Sequence, residues 1–294
     1  GRWSRDCGCH IGGGAGWTQR WREPLREALN ILRDNLAVHF EREMEKVARD
    51  PWAVRDAYID VMLDPDRARR FAHDQMKKSA AGDASNDKLV RFFSLLEMQR
   101  AALLMFTSCG WFFDDVSGGE SIILMKYAAR ALELAKATGA TNDGETAFLD
   151  MLAKAESNVP DARGEKVTGR DLFFERARSV AVTTDKVVVS HALRALSEGT
   201  RRSSQLYAYH VTHHEEVHLK KGAVPCLVGA VTVEDSRTFE RADTVYALAH
   251  FGGLDFRCST KPLASGAEGA SIAHALVEKI RAAAVQGSTT AMMR

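Results

Sequence analysis

From residue 25 onward the apolar positions fall in steps of three or four. Leu25, Leu29, Leu32, Leu36, Phe40, Met44 and Val47 form one continuous stripe, which predicts a long amphipathic helix. Pro24 sits in its first turn, where a missing N–H costs nothing. Asp50-Pro51 then reads as an N-cap followed by a first-position proline, opening a second helix with Trp52, Tyr58, Ile59 and Met62 inward. Between Leu89 and Phe113 apolar residues occur nearly all round the helical wheel. A helix of that kind has to be covered on several sides, which makes it the centre of a bundle. Ser121 to Ala137 predicts a further helix closed by Gly139, and two more fit Glu145–Ser157 and Asp171–Ser197, the latter broken near Thr183-Thr184. Asn158 to Gly169, with Pro160 and Gly164, reads as an exposed loop.

After Gly199 the pattern changes. Leu206–Leu219, Val224–Glu234 and Thr238–His250 are rich in β-branched and aromatic residues, with turn chemistry at Lys220-Lys221-Gly222 and Gly252-Gly253. Three or four antiparallel strands follow from that. A last amphipathic helix, Ile272 to Ala284, turns Ile272, Leu276 and Ile280 to one face. The expected fold is α+β: a mainly α-helical bundle with an N-terminal Gly-rich substrate loop over residues 1–200, a small antiparallel β-rich segment over 201–265, and a terminal helix and tail over 266–294.

Composition narrows the function classes. The chain has 294 residues, 45% of them hydrophobic, so it has material for one large core or two smaller ones. Lys+Arg 40 against Asp+Glu 39 leaves +1, which gives no electrostatic reason to expect nucleic acid or an anionic membrane as partner. Runs such as Arg67-Ala68-Arg69-Arg70 read as a solvated helix face. No apolar run is long enough to span a bilayer. Five scattered cysteines (Cys7, Cys9, Cys109, Cys226, Cys258) do not form a disulfide framework. They fit a reducing, cytoplasmic setting, and Cys7-Gly8-Cys9 is too tight for a metal knuckle, so these cysteines read as structural or incidental. Both ends look cut: Gly1-Arg2-Trp3 starts abruptly and Met292-Met293-Arg294 stops just after a helix.

Two motifs invite chemistry and are set aside. His214-Glu215-Glu216-Val217-His218 spells HExxH, yet its flanks favour a strand. There the imidazoles share a side about 13 Å apart, at ~3.3 Å per residue, too far for one zinc. Gly12-Gly13-Gly14-Ala15-Gly16 lacks the lysine and the preceding strand of a nucleotide loop, so close backbone packing or flexibility is expected there. No metal and no cofactor are called for.

More informative is the stretch from Trp3 to Gly13, which gathers Trp3, Arg5, Asp6 and His10 among glycines. Those groups suit a saccharide, with hydroxyls bound by Asp, Arg and His and a ring face covered by Trp. A plain helix-entry loop is the competing reading. Thr107 to Glu120 is a second such place, where aromatics lead into Asp114-Asp115 and a Gly-rich turn. Adjacent carboxylates there are either a helix-end charge pair or the wall of a polar cleft.

Asp6, His10, Gly13-Gly14 and then Leu25-Arg26 resemble the Asp-x-x-x-His-x-x-Gly-Gly…Leu-Arg stretch of glycoside hydrolase family 57. The run from Gly1-Arg2-Trp3 to Pro24-Leu25-Arg26, the segment Cys109–Gly118 and the segment Val245–Cys258 look closer still to a branch described as α-amylase/α-mannosidase with a C-terminal domain of unknown function. The resemblance implies a bundle and β-rich region that follow a catalytic barrel. The barrel's two carboxylates would then lie outside this chain, which holds no catalytic residue. It implies substrate contacts for Asp6 and His10, and a match between Trp111 and the tryptophan of the family's Asp-Trp signature, although Gly110 stands where that signature has Asp. Trp3, Arg5, Asp114 and Asp115 join them on chemical grounds. The implied role is an accessory wall of the cleft in a retaining hydrolase or glucanotransferase, its partners an α-glucan or mannan and the upstream barrel. The alternatives are a non-catalytic structural or protein-interaction bundle and, if His214 and His218 were helical, a zinc protease.

Overall fold

A computed structural model describes residues 4–9, 11–77, 86–221 and 224–263, together with Ala275, Glu278 and Lys279. Trp3, His10 and, apart from those three residues, the terminal helix expected at Ile272–Ala284 lie outside the described residues. The fold is α+β, and the chain divides into two compact units, Gly1–Ala181 and Val182–Arg294.

The first unit is helical. Helix α1 (Arg22–Met44) buries Leu25, Leu29, Leu32, Leu36, Phe40 and Met44, the stripe read from the sequence. Each such side chain contributes about 1.5–3 kcal/mol by leaving water. Helix α2 (Pro51–Ala57) starts as expected, with Asp50 accepting from Trp52 N and Ala53 N. It stops early, and α3 (Ile59–Leu63) resumes out of phase. The inward residues are therefore Val54, Tyr58 and Val61, while Ile59 and Met62 are exposed. Helix α4 (Ala68–Gln75) follows a short 3-10 turn at Pro65–Arg67.

Helix α5 (Asn86–Leu104) is the buried centre, with Phe92 to Gln99 enclosed without interruption. It ends well before Phe113, and a separate 3-10 turn, Ser108–Trp111, follows. Helix α6 (Gly119–Ala137) closes at Gly139, whose φ of +88° lets Ala140 N reach back to Ala135 O. Helix α7 (Asp143–Leu152) packs along α1. Helix α8 (Gly169–Leu172) opens with a capping box on Thr168 and runs on as a π-turn, Phe173–Arg178.

In the second unit α9 (Thr184–Glu198) begins at the predicted break, with Thr183 as N-cap. It covers one face of an antiparallel sheet in the order β1-β2-β3-β4-β5: β1 (Ser203–Leu206), β2 (Tyr209–Lys221), β3 (Val224–Asp235), β4 (Arg241–Gly252) and β5 (Asp255–Pro262). The sequence showed three or four of these strands; β5 is edge-like and mostly exposed, so it lacks an alternating apolar signature. The boundary also differs from the expected one at residue 200. Val187, Val188, Ala192 and Ala195 of α9 pack on Leu227, Val231, Val233, Tyr246 and Leu248, which ties that helix to the sheet rather than to the bundle. No helix among the described residues is long and apolar enough to cross a membrane.

Candidate functional site

The Gly-rich loop before α1 is held by one buried carboxylate. Asp114 lies just past the 3-10 turn and is 4% exposed. Its Oδ2 accepts from the backbone N–H of Ile11 (2.7 Å) and of Gly13 (2.8 Å), while Oδ1 accepts from Gln19 Nε2 (2.8 Å). Gln19 Nε2 also donates to the Cys9 carbonyl. The Asp114 carbonyl takes Trp21 Nε1 (3.1 Å) and Asn158 Nδ2 (3.1 Å). One aspartate thus binds the loop, the start of α1 and the loop after α7.

Glycine is needed where this clamp closes. A Cβ on Gly13 would stand 2.7 Å from Asp114 Oδ2 and 3.1 Å from the Trp17 ring, and one on Gly14 would stand 2.9 Å from Trp17 Nε1. The tract that invited a phosphate reading is close backbone packing. Asp115 faces the other way. Its oxygens take Ser117 N (2.8 Å), Ser157 Oγ (2.7 Å) and Asn158 N (2.5 Å). Both carboxylates are interior anchors, neither a helix-end charge pair nor an open cleft wall.

Trp111 is wholly enclosed, stacked on Trp21 with centroids 6.4 Å apart and planes at 6°, so it presents no free face to a sugar ring. Its neighbour Gly110 is held to glycine by packing. A Cβ there would lie 2.3 Å from two carbons of Leu124, so no side chain fits while the turn rests on α6. Open surface comes instead from Phe112 and Phe113, an edge-to-face pair at 5.3 Å that are 51% and 40% exposed. Arg5 and Asp6 are exposed on the loop, and Asp6 Oδ1 accepts from Gly8 N at 3.2 Å. The structure therefore places Arg5 and Asp6 on the loop that Asp114 anchors, with Trp111 enclosed, while Asp115 anchors the loop after α7. Gln19, Arg22 and Asn158, which do the holding, carried no sequence signal that set them apart. Arg22 is nearly buried and donates to Phe113 O (3.2 Å) and to Cys7 Sγ (3.4 Å).

A second polar cluster lies within the sheet unit. The HExxH segment is in β2, as expected, but His214 is the extra residue of a bulge between His213 and Glu215. The bulge reverses the alternation. His214 bonds Thr232 Oγ1 (2.6 Å), whereas His218 bonds Glu216 (2.7 Å) on the face covered by α9. The expectation that His214 and His218 share a side is thereby corrected. The same bulge sets His213 and Glu216 on one face. His213 stacks against His191 of α9 with centroids 5.9 Å apart, and Tyr246 Oη donates to Glu216 Oε2 at 3.0 Å.

Tyr246 reaches Glu216 by crossing β3 at Gly229, where a Cβ would meet Oη at 2.5 Å. Burial above all, together with the other imidazole, pushes the pKa of His191 below the ordinary value. Burial likewise lowers that of His213, with His214 adding to the effect and Glu216 opposing it. Burial first and Glu216 second raise the Tyr246 phenol. His191 Nε2 and His213 Nδ1 have no hydrogen-bond partner among the described residues. A shallow surface depression lies beside His191 between Arg194, Arg201 and Ser204. Among the described residues no three His, Cys, Asp or Glu side chains are grouped to hold a metal ion.

No curated protein and no solved structure matches the chain. A family described as a domain of unknown function, DUF3536, matches residues 17–294. That span takes in the end of the loop, the bundle and the whole sheet unit, and on it the chain belongs to the DUF3536 family.

Proposed function

We propose that this chain forms one wall of a saccharide cleft in a family 57-like glycoside hydrolase or glucanotransferase. The observation that carries the reading is the Asp114 clamp. It fixes the backbone of Ile11 and Gly13 while the side chains of Arg5 and Asp6 stay exposed. Fixed backbone with free polar side chains is what recognition of hydroxyl groups requires, because little ordering entropy remains to oppose binding. Phe112 and Phe113 beside the clamp supply the apolar surface on which a pyranose ring packs. Trp111 then acts as a brace rather than a platform. The resemblance of Asp6, His10, Gly13-Gly14 and Leu25-Arg26 to the family 57 pattern supports the same reading. In such a protein the bond-breaking carboxylates, about 5 Å apart for retention, sit in the barrel, and this chain's residues orient the sugar and exclude water.

The test is a titration of the chain with malto-, manno- and cello-oligosaccharides, followed by tryptophan fluorescence and by calorimetry. Saturable binding to one class, abolished in Asp6→Ala and weakened in Phe112→Ala, is expected. Both side chains are exposed, so loss of folding does not confuse the result. No heat with any of the three sugars, either from the folded chain alone or from a form that carries the upstream barrel, overturns the assignment.

A further inference from the structure

The Cys7-Gly8-Cys9 segment carries chemistry that the saccharide reading does not use. Both cysteines are half-buried in the loop and neither is in a disulfide. The Cys7 sulfur accepts from Arg22 Nη1 at 3.4 Å, and that guanidinium is 3% exposed. A cation shielded from water beside a sulfur favours the thiolate, which is the nucleophilic form. The Cys9 Sγ donates to the Cys7 carbonyl at 3.9 Å and the Cys7 Sγ faces Gln19 Oε1 at 3.9 Å. Hydrogen bonding from Cys9, with Arg22 adding to it and burial opposing, brings the Cys7 thiol below its ordinary range. Gly8, at φ +68° with no atom within 4 Å of a would-be Cβ, gives the turn room to bring the two sulfurs together.

We propose that Cys7 and Cys9 are a redox-active dithiol, with Cys7 the sulfur that attacks a hydroperoxide and Cys9 the thiol that resolves it. In the first step the Cys7 thiolate attacks one peroxide oxygen. The O–O bond breaks, hydroxide leaves from hydrogen peroxide (an alkoxide from an organic hydroperoxide), and Cys7 becomes a sulfenic acid. In the second step the Cys9 sulfur attacks the Cys7 sulfur. The S–O bond breaks, the departing oxygen takes the Cys9 proton as water, and a disulfide forms. The two sulfurs together lose two electrons and the peroxide gains them. A ring closed across one residue is strained, so a small thiol reduces it readily, which suits a reversible switch. Oxidation removes the sulfur from Arg22 and shifts Cys9, whose carbonyl accepts from Gln19, so the switch acts on the segment that Asp114 holds. The chemistry stands independently of the saccharide reading.

The experiment treats the reduced chain with a stoichiometric amount of hydrogen peroxide and follows each thiol by tryptic mass spectrometry. Cleavage after Arg5 and Arg20 isolates Cys7 and Cys9 in one peptide, Asp6–Arg20. The expected product is that peptide lighter by two hydrogens, restored by dithiothreitol. It should form about tenfold or more faster than oxidation at Cys109, an exposed thiol in the same chain. Cys9→Ser should stop at a sulfenic acid on Cys7 that dimedone traps, and Cys7→Ser should leave Cys9 unreacted. The pH profile of Cys7 alkylation should move upward in Arg22→Gln and return in Arg22→Lys. Oxidation of Cys7 no faster than Cys109, or dimedone labelling of Cys9 in Cys7→Ser at the parent's rate, would overturn the proposal.

Discussion

Exchanging Asp114 for Asn changes almost no volume and tests the clamp directly. Asp114 offers Oδ2 to Ile11 N and Gly13 N and Oδ1 to Gln19 Nε2. An amide has one acceptor oxygen and one NH2, so in either orientation a donor faces a donor. Turning Gln19 over would strip the Cys9 carbonyl of its partner. The less costly arrangement keeps oxygen toward the loop. Two bonds then weaken from charged to neutral, about 1 kcal/mol each, and the Gln19 bond, about 1.5–3 kcal/mol, is lost. The loop amides regain water when the loop opens, which brings the net to ~2–4 kcal/mol. That cost falls on local opening, read by amide hydrogen exchange. Ile11 and Gly13 amides should exchange about 30- to 700-fold faster in Asp114→Asn, at 1.4 kcal/mol per tenfold. The Val231 amide in β3 serves as an internal reference. Rates at Ile11 and Gly13 that stay within about threefold of the parent, where ~0.7 kcal/mol or less has been lost, refute the view that this carboxylate fixes the loop.

Two further outcomes concern the sheet unit. Gly229→Ala places a methyl 2.5 Å from Tyr246 Oη and 2.8 Å from the Glu215 carbonyl. A loss of ~1–3 kcal/mol in urea unfolding is expected from overpacking, and a cost under about 0.5 kcal/mol would show that the phenol does not need to cross β3 there. The second outcome is a pH dependence from His191 and His213, both held below the free value of 6.5. The unfolded chain takes up these protons near 6.5 and the folded chain resists them. Stability is therefore complete above that pH and falls as pH drops toward the folded values. Two protons give a slope of at most about 2.7 kcal/mol per pH unit, read from exchange of the β3 amides. In His213→Gln the slope should fall by about half, and an unchanged slope would remove that imidazole from the account.

Local chemistry decided much of what the sequence made legible. The stripe of Leu25 to Met44, the cap at Asp50, the break near Thr183-Thr184 and the closing Gly139 depend on residues within a turn or two of one another, and each was found where the spacing put it. The β-branched runs after Gly199 likewise announce strands, since each residue's neighbours on its own chain set the pattern. The Ile59 and Met62 positions failed because a helix break after Ala57 shifts the phase, and nothing in the apolar spacing marks it. Within the candidate site the sequence put both Asp6 and Asp114 forward as substrate contacts; Asp6 is exposed, whereas Asp114 is an interior anchor. Asp114 turns inward because its donors, Ile11 and Gly13, stand more than a hundred residues away in the chain. Trp111 is enclosed for a similar reason, since Gly110 lets its turn settle onto Leu124. A bulge at His214, which no residue type signals, decides which of four neighbouring His and Glu side chains meet α9. Sequence fixes what a residue does to its own backbone. Which distant groups share its low-dielectric surroundings, and so whether a carboxylate or a thiol is an anchor or a reagent, is decided only when the chain has folded.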